Sequence, residues 1–78
     1  MAFDYSKLRG RIIEKFGSQA AFAIALGRPE NTISRKLNGG IAISTQDIRE
    51  WSEEDILNIP ADQYHEYFFK EKVQEIEL

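Results

Sequence analysis

Apolar residues recur at helical spacing from the start of the chain. Tyr5, Leu8, Ile12 and Phe16 fall on one side of a helix, because residues three and four apart share a face. Asp4 or Ser6 is available as its N-terminal cap and Gly17 as its stop. Ser18 can cap a second helix in which Phe22 and Leu26 stack one turn apart, while Ala20, Ala21, Ala23 and Ala25 keep it slim enough for close packing. Gly27 ends that helix. Arg28 precedes Pro29 and is pushed towards extended geometry, which suits an N-cap, with Pro29 at the first helical position, where its missing N–H is harmless. A third helix of about two turns then runs to Leu37, and Asn38-Gly39-Gly40 closes it with residues that tolerate left-handed geometry.

The pattern beyond is more broken. Ser44 or Thr45 can cap a fourth helix that turns Ile48 and Trp51 inward, with Ile56 and Leu57 as its continuation or Ser52 as a fresh start. Asn58-Ile59-Pro60 reads as a break, after which Ala61 or Asp62 opens a fifth helix through Tyr64, Tyr67 and Phe68. Val73, Ile76 and Leu78 fit neither the helical nor the strand period, so the end of the chain is open between a longer fifth helix, a strand added to a partner, and fraying. The expectation is an all-α, compact four- to five-helix domain over residues 1–69, with a tail over 70–78 that is a candidate dimerising segment.

Composition narrows the class. A chain of 78 residues suits one domain with one modest core. Its 42% hydrophobic and 29% charged residues are the balance of a folded protein rather than a disordered one. No cysteine is present and His65 is the single histidine, so no disulfide framework, thiolate metal site or zinc cage is expected. No apolar run approaches the roughly 18 residues of a membrane span and no signal segment is evident, so the expected compartment is the cytoplasm.

Charge is unevenly placed. Residues 1–43 hold seven Lys or Arg against three Asp or Glu, a net +4, and residues 44–78 hold three against ten, a net −7, which together make the −3 of the whole chain. This polarity suits a protein whose first half approaches a polyanion, although solvated helix faces give the same count. A non-specific nucleoid protein would need a basic total, since such binding depends on phosphate neutralisation.

The informative segment is the second helix, the glycine turn and the short polar third helix, residues 19–39. A helix-turn-helix needs glycine for positive φ in the turn, a small residue where the helices cross, and a thin apolar side on the second helix; Gly27, Ala23 and Ile33 supply these. Ile33 and Leu37 point to one side of helix three. Asn31, Ser34, Arg35 and Asn38 form the opposite stripe, all of it hydrogen-bonding. In a DNA major groove asparagine suits adenine and arginine the O6/N7 edge of guanine, which makes Asn31 and Arg35 the candidate base readers. Glu30 can accept from cytosine N4 or simply favour the helix dipole, and the sequence leaves both open. Lys7, Arg9, Arg11 and Lys15 are candidates for flanking phosphates, with a solvated face as the ordinary alternative.

Trp51 has the spacing of a core residue rather than a base-stacking one, and His65 is given no role. Tyr64, Tyr67, Phe68 and Phe69 offer more aromatic surface than one short helix usually buries, so some are candidates for a subunit contact.

The segment resembles the helix-turn-helix of phage Cro and repressor proteins over roughly residues 5–59, including the trailing Asn38-Gly39. The run Phe3-Asp4-Tyr5-Ser6-Lys7-Leu8-Arg9-Gly10-Arg11-Ile12-Ile13, with Lys36-Leu37-Asn38 and Tyr67-Phe68-Phe69, looks like short phage-type regulators of Gram-positive hosts over nearly the whole chain. The broader resemblance implies that Gln19 touches phosphate or a base, that residues 28–35 (Arg28, Glu30, Asn31, Thr32, Ser34 and Arg35 among them) face base edges with Lys36 beside them, and that Asn38 holds backbone phosphate. Two positions depart from it: Lys36 stands where an apolar residue is usual, and Pro29 where a serine or threonine cap is.

What the resemblance implies is a double-stranded DNA operator as partner, bound by a homodimer that occludes a promoter, with no cofactor, metal, membrane or small-molecule ligand. The alternative is a protein-binding helix-turn-helix adaptor such as an antirepressor or antitoxin-like module, whose acidic half meets a basic partner. Catalysis is not expected, because the acids form runs without a paired base, a nucleophile or a phosphate loop.

Overall fold

The computed structural model describes residues 3–71. It is all-helical: α1 Ser6–Phe16, α2 Gln19–Leu26, α3 Glu30–Leu37, α4 Thr45–Trp51, a 3₁₀ turn Ala61–Gln63, and α5 Tyr64–Phe68, which the turn leads into. Among the described residues there is no strand, only an isolated antiparallel bridge between Phe3 and Glu71. The expected tail residues Val73, Ile76 and Leu78 lie outside the described residues.

Most caps follow the sequence, with instructive shifts of one position. Asp4 caps α1 from just outside it: its Oδ1 accepts from the Ser6 amide at 2.9 Å and the Ser6 hydroxyl at 2.6 Å, while Tyr5 occupies the cap position itself. Ser18 Oγ accepts from Ala21 N–H at 3.1 Å, and Gly27 closes α2 at φ 68°, a left-handed value that costs any residue with a Cβ. Pro29, expected as the first residue of α3, is instead its N-cap, with ψ 135°. The fixed φ of proline is compatible with either position; its ψ is extended, and so the helix begins at Glu30.

α4 opens on a capping box, in which Ser44 Oγ accepts from Asp47 N–H at 3.1 Å and Asp47 Oδ2 accepts from Ser44 N–H at 2.9 Å. It stops at Trp51 instead of continuing to Ile56 and Leu57, and Ser52 is its C-cap rather than a fresh start. The chain there folds back on the helix end, with Leu57 N–H donating to Trp51 O at 3.0 Å and Ile59 N–H to Ser52 O at 3.1 Å. Asn58 adopts φ 51° to make the reversal. Burial explains it: Leu57 and Ile59 both reach the core, which a straight continuation of α4 would deny to one of them.

One core joins all five helices: Leu8 and Ile12 of α1, Phe22 and Ala23 of α2, Ile33 and Leu37 of α3, Ile48 and Trp51 of α4, Leu57 and Ile59, and Tyr67 and Phe68 of α5. Trp51 is central, 1% exposed, with its ring 5.2 Å from Phe22 at 85° and 6.3 Å from Phe68. Such edge contacts add about 0.5–1.5 kcal/mol beyond burial. The aromatic cluster of α5 divides: Tyr67 and Phe68 are buried, Tyr64 is half-buried, and Phe69 is exposed beside Phe3, their rings 6.0 Å apart.

The two ends of the described chain are tied together. Asp4 N–H donates to Lys70 O at 2.6 Å, Lys7 pairs with Glu66, and the Lys7 ammonium lies 4.8 Å from the centre of the Tyr67 ring. Lys70 and Glu71, the first two residues of the expected tail, lie against Asp4 and Phe3.

Candidate functional site

α2 and α3 meet across the Gly27 turn as a helix-turn-helix. Ala23 is 2% exposed where the helices pack, and Ile33 and Leu37 turn inward. The opposite side of α3 therefore faces out. Glu30, Asn31 and Arg35 are exposed there, and their side chains make no hydrogen bond or ion pair among the described residues. Thr32, Ser34 and Gln19 are half-buried.

Four of the expected DNA contacts, Arg28, Ser34, Lys36 and Asn38, have partners inside the protein. Lys36 leaves the stripe: its side chain is 16% exposed, and Nζ lies 2.7 Å from Asp47 Oδ2 of α4. This accounts for its departure from the apolar residue usual in Cro and repressor proteins, since its stem occupies the half-buried seam and its charge is met there. Arg28 reaches the same helix, with Nη2 at 3.1 and 3.4 Å from the two carboxylate oxygens of Glu50. Asn38 Oδ1 accepts from Arg9 Nη2 at 2.6 Å, and its own amide donates to Ser34 Oγ at 3.4 Å. Arg9 Nη2 also donates to Leu37 O at 2.8 Å, which closes the C-terminus of α3.

The candidate phosphate contacts of α1 are likewise used for folding. Lys7 binds Glu66, and Arg11 donates from Nε to Leu57 O at 2.9 Å and from Nη2 to Asn58 O at 3.3 Å while pairing with Glu14. Lys15 alone of the α1 cations makes no such contact among the described residues.

Asp47 is the electrostatic centre of the seam. Burial opposes its ionisation, but hydrogen bonds from Lys36 and from the Ser44 amide and hydroxyl outweigh that, and its carboxyl lies below the usual carboxylate range. It is therefore ionised at neutral pH and forms the acidic half of the pair with Lys36.

Sequence reasoning passed over two features. Ile24 is 81% exposed on the outer side of α2, one turn before Arg28; its position two residues after the inward Phe22 was the available signal, because a helix cannot bury both. The second is α4, whose Asp47 and Glu50 reach over to the helix-turn-helix; only their i, i+3 spacing was visible beforehand. Among the described residues no group of three or more His, Cys, Asp or Glu is placed to hold a metal ion, and no helix is long and apolar enough to cross a membrane.

Comparison with known proteins bears on nearly the whole chain. Residues 1–71 match the family described as "Protein of unknown function (DUF739)", and the chain belongs to that family. No curated protein sequence matches it. Among solved structures it is similar to the solution structure of the modulator of repression (MOR) of the temperate bacteriophage TP901-1 from Lactococcus lactis, at 39% identity and a TM-score of 0.77, covering 95% of this chain and 97% of the other. Of the two resemblances drawn from the sequence, this match supports the narrower one, to short phage regulators.

Proposed function

We propose that this member of the DUF739 family is a small phage regulatory protein that modulates repression through a protein contact made by the outer side of α2 and α3, with Ile24 as its apolar anchor. The observation that carries the reading is Ile24, left 81% exposed beside the helix-turn-helix. Burying such a side chain against a partner stabilises a complex by about 1.5–3 kcal/mol, whereas against phosphate it contributes nothing. The pairing of Arg28 with Glu50 and of Lys36 with Asp47 favours the same reading, because each cation held internally is one fewer for phosphate neutralisation. The similar structure's description as a modulator of repression fits a protein that acts upon a repression system. In this reading the protein is not an enzyme, needs no cofactor and works in the host cytoplasm.

Direct operator binding is the second reading, supported by Asn31 and Arg35, which stand exposed on one side of α3 with Ser34 between them. A homodimer covering a promoter operator belongs with this reading.

A reporter controlled by the repressor of the same phage separates the two. With that repressor present, wild-type protein is expected to shift reporter output, Ile24→Ser to abolish the shift, and Asn31→Ala/Arg35→Ala to retain most of it. Selection from a random duplex pool at near-physiological salt supplies the opposing result: an enriched site that the Asn31→Ala/Arg35→Ala protein no longer selects would establish operator reading and displace the protein-contact reading.

A further inference from the structure

The two ion pairs that cross from the helix-turn-helix both end on α4. Asp47 and Glu50, three residues apart on that helix, take Lys36 and Arg28 respectively. Both acceptors are held in place: Asp47 belongs to the capping box that opens α4, and Glu50 Oε1 also accepts from Gln46 Nε2 at 3.3 Å. Residues 19–38 carry three cations against one carboxylate, a net +2, and α4 adds Asp47 and Glu50 against Arg49, which lowers it to +1. Among the described residues Arg35 is then the one cation of α2, the turn and α3 without an ionic partner.

We infer that α4 is a selectivity element, in which Asp47 and Glu50 clamp Lys36 and Arg28 and so suppress the affinity of the helix-turn-helix for duplex DNA. Specificity of this kind comes from weakening the wrong complex rather than strengthening the right one. Arg28 stays half-exposed when paired, so Glu50 acts on an approaching phosphate by offsetting the guanidinium charge and repelling the phosphate. The inference deepens the protein-contact reading, since it says why the surface does not also serve as a general DNA-binding face.

The test is the affinity of full-length protein for a labelled duplex of random sequence, followed by fluorescence anisotropy between about 50 and 200 mM salt. Glu50→Gln releases Arg28 from a partly exposed pair, so the fold is expected to persist. Its affinity at low salt is expected to rise about three- to tenfold, with the salt dependence steeper by about one phosphate contact. Glu54→Gln, an exposed acid in the turn after α4 that makes no ion pair among the described residues, changes net charge equally and is expected to give less than half that gain. Arg28→Ala/Glu50→Gln is expected to lose the gain, because the released cation is gone. Equal gains from Glu50→Gln and Glu54→Gln, no gain from either, or a gain that survives removal of Arg28 would overturn the inference. None of these results bears on Ile24, so the protein-contact reading stands or falls separately on the reporter.

Discussion

α3 and α4 are short helices joined by a short loop, and they commit their polar side chains to the fold to different degrees. On α4, Asp47, Glu50 and Gln46 all bond within the protein, and the helix begins on a reciprocal cap. On α3, Glu30, Asn31 and Arg35 bond to nothing among the described residues. The same division runs within α3, where Arg35 and Lys36 are adjacent cations, one exposed and one 16% exposed against a carboxylate. Residue type alone therefore does not say which charges a partner can reach. A helical step of about 100° per residue does, once the buried side is known.

The comparison is broken most severely from within. Trp51→Ala removes the ring on which Phe22 and Phe68 pack and is expected to lower unfolding free energy by about 3–5 kcal/mol, read as a fall in the urea midpoint. Asp47→Ala comes next. It leaves the Lys36 ammonium in a half-buried seam without its partner and removes one half of the capping box, for an expected loss of about 2–4 kcal/mol by the same measurement. A loss below about 1 kcal/mol would mean that the seam is effectively solvated and that α4 is no more committed than α3.

Acid sharpens the same point. The Asp47 carboxyl is depressed in the folded protein, so the stability it contributes is fully present above its unfolded value, near 3.9, and is lost as pH falls through the folded value. Wild-type stability is expected to decline below about pH 4 more steeply than that of Asp47→Asn, which lacks this titration. Parallel curves for the two proteins would contradict the assignment. The smallest effects belong to α3 and the outer side of α2: Arg35→Ala and Ile24→Ser are each expected to leave unfolding free energy within about 0.5 kcal/mol of wild type.

Reading the sequence located the helices because each carries its own punctuation. Gly17, Ser18, Gly27 and Ser44 are local devices, acting through backbone groups within one turn, and all four perform the role their chemistry dictates. Where an end depended on what distant residues needed, the reading was displaced: α4 stops at Trp51 because Leu57 and Ile59 have to return to the core. The site divided along the same line. The outward placement of Asn31 and Arg35 followed from the spacing of Ile33 and Leu37, but nothing local announced that Lys36 would turn to Asp47, Arg28 to Glu50, or Asn38 to Arg9.

By itself the sequence determined a small all-helical domain, the order of its helices, the glycine turn between α2 and α3, and Trp51 as a core residue, since these rest on periodicity and on hydrogen bonds between near neighbours. Only the tertiary structure decided which charges remain available. Those outcomes depend on which side chains the packing of α1 and α4 against the helix-turn-helix brings within reach, and pairs 11, 22 and 29 residues apart leave no mark on any single stretch of chain.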